Sequence, residues 1–394
     1  LSLPLVAVVA LGTDAGGLGL LRAVEQAPIL LLSLFAGAWV DRLRARDVMV
    51  LADGGRALAL AAIGFAYPLG VLGIPMLCVT ALAVGALGVF FDVAYQTALV
   101  RLVAPGQLVR GNSALEGSRS AAQIGGPALG GVLVSAFSAP LAAAASVFFF
   151  AASLLSIRRI RRPEPVNEEA AEGTSGLWRR IHEGLRLVAA DPSLRAVGLA
   201  SALFQFSFAA LLTVYLVFLP RGLHLSGASV GLVLAALGPG AVVGSLLAAR
   251  LPGRYGYGRV LVGAAALGDG VLLCVPALPE TGVGGVCSVV ALMGINFLFG
   301  TCGQLVNVTM MAVRQTLTPV RLQGRVVATV NFVGMGLTPL GSLLGGHLAG
   351  LWGLRTGLLV TAVAMLLSPL FMALSPLAGL GKEIGPGGPG AGRG

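Results

Sequence analysis

The chain has 394 residues, of which 56% are hydrophobic and only 11% charged, with 58 glycines and a formal net charge of +10. Its mean hydropathy is +0.92, and soluble domains carry roughly 25% charged residues. A soluble enzyme, a nucleic-acid-binding domain and a disulfide-stapled secreted module are therefore excluded, and the fold class is an all-α polytopic membrane protein.

Roughly 20 consecutive apolar residues cross a bilayer as a helix, and the sequence supplies such runs repeatedly. Residues 1–12 (LSLPLVAVVALG) are apolar but too short to cross, and read as the remainder of a first helix truncated at its N-terminus. Full spans are expected near 16–40, 48–69, 71–95, 111–137 and 139–157. A central segment, 158–193, follows, with four arginines and four glutamates before an amphipathic stretch around Trp178 to Leu187. Six more spans are expected near 194–218, 229–249, 259–278, 284–311, 324–350 and 356–375, then a Gly/Pro tail over 376–394 without apolar periodicity. The chain thus divides into an N-terminal bundle (1–157), a central loop (158–193), a C-terminal bundle (194–375) and a disordered tail (376–394). The runs are continuously apolar, where a membrane β-barrel would alternate over about ten residues.

Charge placement orients the spans. With the central loop cytoplasmic, the inner side holds Arg42, Arg44, Arg46, Arg101, Arg110, the eight arginines of 158–195, Arg250, Arg254, Arg259, Arg314, Arg321, Arg325, Lys382 and Arg393, which are 21 of the 26 basic residues. Only Arg221 and Arg355 lie outside, while Arg22, Arg56 and Arg119 fall within spans. This is the asymmetry of the positive-inside rule, so the excess charge faces anionic lipid and not nucleic acid. The expected place is the inner (plasma) membrane, with the C-terminus cytoplasmic. Cys78, Cys274, Cys287 and Cys302 fall in spans without metal-ligand spacing, and read as small packing residues.

A faint internal echo relates the two sets of spans. Gln96-Thr97 and Gln315-Thr316 lie 219 residues apart; Arg110 and Arg325, like Gly130-Gly131 and Gly345-Gly346, lie 215 apart. Such repeats are frequent in secondary transporters, which bind substrate where the repeats meet.

The sharpest local signal is Gly37-Ala-Trp-Val-Asp41-Arg42-Leu-Arg44-Ala-Arg46, in the short loop after the second span. These residues resemble the loop motif of the major facilitator superfamily, with Ala45 at one usually basic position. The resemblance implies two six-helix bundles and a gate in which Asp41 caps a helix of the other half, beginning near Gln323 to Arg325; a helix N-terminus suits an anion. A solvated charged turn is the bland alternative. Gly125-Gly126-Pro127-Ala-Leu-Gly130-Gly131 is similar to the Gly-Pro motif of antiporters in that superfamily, although close helix packing explains small residues equally well. The text around Asp53, Phe90 to Pro105 and Gln107 to Arg119 resembles the branch of macrolide exporters and the enterobactin exporter, classed as drug:proton antiporters.

Charge within a membrane needs a partner or a function. Asp53, Arg56, Asp92, Glu116 and Arg119 lie near the cytoplasmic side, and the 53/56 and 116/119 spacings put each acid and arginine on one helix face. They read as a charge network holding an inner gate. Asp269 has no basic residue in its run, and Glu25 has Arg22 one turn away; these two are the proton-coupling candidates. Against this, Asp269 sits on the ninth span, which the family resemblance makes peripheral. Phe204, Gln205, Phe208, Tyr215, Asn296, Gln304, Asn307 and Asn331 are candidates for a substrate wall or, equally, for interhelical hydrogen bonds.

The expected function is export of a small amphipathic molecule (drug, macrolide or siderophore-like) in exchange for protons, by a monomer in the lipid bilayer. No cofactor, metal or nucleic acid is implied. Uptake by a symporter or uniporter of the same fold and a non-transporting receptor remain the alternatives. No phosphate-binding G-x-x-x-x-G-K-[ST] loop occurs, and no Ser/His, paired-Asp or metal-ligand set points to an enzyme.

Overall fold

In the computed structural model, the described residues are 2–102, 118, 121–122, 125–126, 129–130, 133, 139–160, 186, 189–190, 192–279, 285–317, 329–330, 332 and 334–382. All the regular structure among them is helical. Ser2–Leu5 (α1) runs into a π-helical turn, Val6–Ala10, followed by Ala15–Arg42 (α2), Ala45–Ala66 (α3), Ile74–Leu102 (α4) and Ala139–Arg158 (α5). The later residues form Pro192–Arg221 (α6), Gly227–Ala235 (α7), Leu237–Ala248 (α8), Leu251–Tyr255 (α9), Tyr257–Val271 (α10), Gly285–Leu317 (α11), Thr338–Trp352 (α12), Leu354–Met365 (α13) and Leu367–Leu374 (α14). Eight helical stretches among the described residues are long and apolar enough to cross a membrane. Most of the expected span at 111–137 lies outside the described residues.

Sequence chemistry sets the ends and breaks. Asp14 caps α2 by accepting a hydrogen bond from the Gly17 amide at 2.9 Å. Three helices change course four residues before a proline, whose ring clashes with the carbonyl at that position. Thus α7 ends at Ala235 ahead of Pro239, α13 ends at Met365 ahead of Pro369, and α10 gives way to a 3-10 turn at Leu272 ahead of Pro276. The loop between α2 and α3 is shorter than expected, since only Leu43 and Arg44 are non-helical. Asp41 and Arg42 therefore belong to the last turn of α2, and Arg46 and Asp47 to the first turn of α3. The charges fit those ends, with Arg42 at a helix C-terminus and Asp47 at an N-terminus.

The outward surface is apolar. Along α3, Leu51, Leu58 and Phe65 recur every seven residues and are 74%, 74% and 73% exposed, which gives the helix one face suited to lipid tails and to little else. Glycines let the inner faces approach closely. A Cβ on Gly240 would stand 2.2 Å from the Phe297 carbonyl oxygen, and one on Gly244 2.2 Å from that of Thr301, so α8 lies backbone to backbone on α11. Gly341 and Gly345 press α12 against the carbonyls of Phe206 and Ala210 on α6 in the same way.

The alternation of helix directions brings Arg44, Arg46, Arg158, Arg159, Arg250, Arg254, Arg259, Arg314 and Lys382 to one end of the bundle, the basic end. Toward the opposite end α2 meets α12. A Cβ on Gly19 would lie 2.7 Å from the Ser342 carbonyl oxygen, and one on Gly346 2.5 Å from that of Ala15. At the basic end the chain beyond α14 folds back, and the amides of Tyr257 and Gly258 donate to the carbonyls of Gly381 and Leu380, each at 3.0 Å. These bonds satisfy two of the unpaired N–H groups at the start of α10.

Candidate functional site

The inward stripes of α6, α10, α11 and α14, with residues 330, 334 and 335, line a cavity of about 290 Å³ in the half of the bundle toward the basic end. Helix α6 contributes Val197, Ala200, Ser201, Phe204 and Gln205, the i, i+3, i+4, i+7 spacing of one face. Helix α11 contributes Gly303, Val306, Asn307, Met310, Met311 and Arg314 on the same periodicity, and α10 supplies Gly268 and Asp269. Met335 and Met372 complete an apolar wall in which four of the protein's eight methionines take part. Methionine adapts its shape and recurs on surfaces that accept varied ligands.

Asp269 is 3% exposed, and its Oδ2 has no hydrogen-bond partner. The expectation of a peripheral ninth span does not describe this residue, whose helix turns its carboxyl into the bundle. The rotation is set by packing, because a Cβ on Gly268 would stand 2.7 Å from that of Cys302 on α11. Arg314 lines the same cavity with its Nε buried and unpartnered. Charge placement alone had marked Arg314 as a loop residue; the stripe from Gly303 to Arg314 is the signal that could have put it in the wall.

The eight wall candidates separate. Phe204, Gln205 and Asn307 line the cavity. Phe208 stacks between Phe204 and Phe299, with ring centroids 5.6 and 5.7 Å away. Tyr215 and Asn296 bond each other instead, Asn296 Nδ2 donating to the Tyr215 hydroxyl at 2.6 Å and to the Leu292 carbonyl at 2.9 Å. Tyr215 shares a helix face with Phe204 but lies roughly 16 Å further along the axis, so this buried pair closes the stripe above the cavity. Gln304 packs its Cβ toward Gly244 on α8, and Asn331 lies outside the described residues.

The proton candidate Glu25 is half-buried on α2, its carbonyl oxygen against Gly85 of α4. One turn away, Arg22 interacts with it electrostatically. With the Gln26 amide oriented to suit its neighbours, its oxygen toward Arg22 and its nitrogen toward Thr338, Arg22 donates to that oxygen at 3.3 Å and the nitrogen donates to the Thr338 carbonyl at 3.2 Å. A polar chain therefore links α2 to α12.

Of the charge network, Asp53 and Arg56 form an ion pair at 2.6 Å, with Asp53 only 1% exposed. The Arg56 guanidinium lies over the rings of Phe91 at 4.3 Å and Phe150 at 4.9 Å, and feels Asp92 as well. Glu116 and Arg119 lie outside the described residues. In the gating motif, Arg46 donates to the Arg158 carbonyl at 2.8 Å and so caps α5, while Arg44 is exposed. Gly37, Asp41 and Arg42 are in α2, and the surroundings of Gly37 and the side chains of Asp41 and Arg42 lie outside what is described. Gly126 and Gly130 are helical, whereas Pro127 and Gly131 are outside the described residues.

Comparison with known proteins agrees with this architecture. The family profile described as Major Facilitator Superfamily matches residues 1–336 and 197–386. The multidrug efflux pump Tap of Mycolicibacterium fortuitum is 31% identical over 355 residues, covering 86% of this chain and 82% of that protein. The pump of the same name from Mycobacterium tuberculosis is 26% identical, over 94% of this chain and 90% of that protein. Among solved structures, a bacterial homolog of the human lysosomal transporter Spinster, inward-facing and occupied, superposes with a TM-score of 0.74 at 12% identity, over 95% of this chain and 92% of that one. The nucleoside transporter NupG gives 0.71 at 14% identity, over 95% and 93%. Both share the fold of stacked apolar helices described above, and the chain belongs to the Major Facilitator Superfamily, as a multi-pass membrane transporter and not an enzyme.

Proposed function

We propose that this transporter exports small amphipathic molecules of the drug, macrolide or siderophore-like kind in exchange for protons. The observation that carries the reading is Asp269, a buried carboxyl with an unpartnered oxygen in the wall of a largely apolar cavity. An ionised carboxylate at that depth costs several kcal/mol unless something neutralises it. A proton or a polar ligand group can each do so, and their alternation couples one flux to the other. The relatives named as multidrug efflux pumps support the outward direction.

In this reading the halves, 1–157 and 194–375, rock about a shared cleft and are tied by the cytoplasmic loop 158–193, with the tail 376–394 also cytoplasmic. The plasma membrane holds the protein as a monomer, with its basic end inside. Asp53, Arg56 and Asp92, with Glu116 and Arg119, brace the inner gate. Asp41, Arg42, Arg44 and Arg46 form its latch, Gly37 lets helices close on it, and the Gly126-Pro127 and Gly130-Gly131 segment lets the fifth span bend. Glu25, beside Arg22, is the second acid on the proton path.

Proteoliposomes with an imposed pH gradient and a panel of such substrates test the proposal. Wild-type protein moves substrate against proton flow, and Asp269→Asn removes the response to the gradient, while exchange of labelled for unlabelled substrate persists at saturating substrate. Asp41→Asn cripples both. Wild-type transport that continues unchanged after a protonophore collapses the gradient would refute proton exchange.

A further inference from the structure

Two opposite charges share the cavity without meeting. Neither the Asp269 carboxyl nor the Arg314 guanidinium forms an ion pair or hydrogen bond with a described residue, and each has a buried polar atom, Oδ2 and Nε respectively, left without a partner. The separation follows from helix geometry. Asp269 sits beside Gly268, which abuts Cys302 on α11, and Arg314 is three helical turns further along that helix. Twelve residues rise roughly 18 Å, and an arginine leaning back toward the N-terminus shortens the gap to on the order of 10 Å. Between the two charges the wall is Met310, Val306 and Phe204, with the amides of Gln205 and Asn307 as the neutral polar groups.

Asp269 is buried, and Arg314, intermediate in exposure, buries its Nε; because the two cannot reach each other, neither compensates the other's buried polar atom. A ligand bearing both complementary charges offsets the two costs at once, whereas a simple cation leaves Arg314 bare and a simple anion leaves Asp269 bare. We propose that the cavity takes amphipathic zwitterions, with the ammonium group at Asp269, the anionic group at Arg314, and an apolar, preferably aromatic, body along the methionine and phenylalanine wall. This names a substrate class for the site and rests on reading the cavity as the transported ligand's pocket. Every described lining residue falls between Val197 and Met372, so the described wall of the pocket comes from the second half of the chain.

The test is equilibrium binding to the purified full-length protein, without vesicles or a gradient, so its outcome is separable from that of the proton-exchange assay. The probes are ciprofloxacin, an aromatic zwitterion with its charges at opposite ends, its methyl ester, which keeps only the cation, and its N-acetyl derivative, which keeps only the anion. The zwitterion is expected to bind about tenfold or more tightly than either derivative. Asp269→Asn should bring it down to the level of the N-acetyl derivative without weakening that derivative. Arg314→Gln should bring it down to the level of the ester, and Arg314→Lys should restore part of the loss. Thermal unfolding of each variant, unchanged within a few degrees, identifies those that are folded. Equal affinity for the three probes, no binding of any by the folded wild type, or a loss that ignores which charge was removed overturns the proposal.

Discussion

Gly19 on α2 faces the backbone of α12, and the smallest possible enlargement there is informative. A methyl group at this position would stand 2.7 Å from the Ser342 carbonyl oxygen and 3.1 Å from Gly346 Cα. Those are backbone atoms and cannot rotate aside. Retreat of α2 is blocked by α4, where Gly85 already leaves no room beside the Glu25 carbonyl. Gly19→Ala must therefore push α12 away by about 0.7 Å to recover an ordinary contact. Overpacking of this kind costs about 1–3 kcal/mol, and it is paid only while this end is closed. When the halves part here, the methyl group meets nothing, so the conformational equilibrium shifts by about 5- to 150-fold toward opening.

Ser342, which is 0% exposed at this contact, reports the shift as a single cysteine. In protein lacking the four native cysteines, Ser342→Cys should react slowly with a maleimide in detergent. Adding Gly19→Ala should raise the rate by a factor in the range above, because labelling follows the open fraction while that fraction is small. Unchanged labelling in a variant that unfolds at the wild-type temperature would refute the reasoning, since α2 and α12 would then not separate at this contact. A drop in unfolding temperature without faster labelling would equally make the contact static packing.

Two further outcomes follow from the buried polar groups. Asp53→Asn strands the Arg56 guanidinium and should cost about 3–5 kcal/mol of stability. Adding Arg56→Met should recover most of it, so a double variant no more stable than the single one in thermal unfolding would deny that the pair acts as a unit. Tyr215→Phe removes one buried hydrogen bond while Asn296 keeps the Leu292 carbonyl. That should cost about 0.6 kcal/mol in a helical membrane bundle and leave transport intact, and transport lost at unchanged stability would put the hydroxyl in the substrate's path.

What the sequence revealed and what it concealed have one physical origin. A helix in lipid must be apolar over its whole length, so runs such as those of α6 and α10 announce their existence, and arginine counts announce their direction. The same requirement erases the amphipathic stripe by which a soluble helix declares its inner face. Nothing in the composition of α4 or α5 says which side meets lipid. The inward rotation of α10 is decided by contacts such as Gly268 on Cys302, and that of α12 by Gly341 and Gly345 on α6. Asp269 was therefore recognisable as an anomalous acid, but its entry into a cavity was not.

The four polar residues Gln205, Tyr215, Asn296 and Asn307 show the same limit along the other coordinate. Tyr215 follows Phe204 by eleven residues and Asn307 follows Asn296 by eleven, a spacing that brings a helix back to within about 20° of the same face. Facing direction does not separate Phe204 from Tyr215 or Asn296 from Asn307; depth does. Because α6 and α11 run antiparallel, the far member on one helix meets the near member on the other. Tyr215 and Asn296 consume each other's polar groups, while Gln205 and Asn307 are left at the cavity. The pair that satisfies itself closes the stripe, and the pair that does not is left for a ligand. The discriminating quantity is thus whether a buried polar group in lipid has already found a partner, and that depends on which residues two helices place opposite one another.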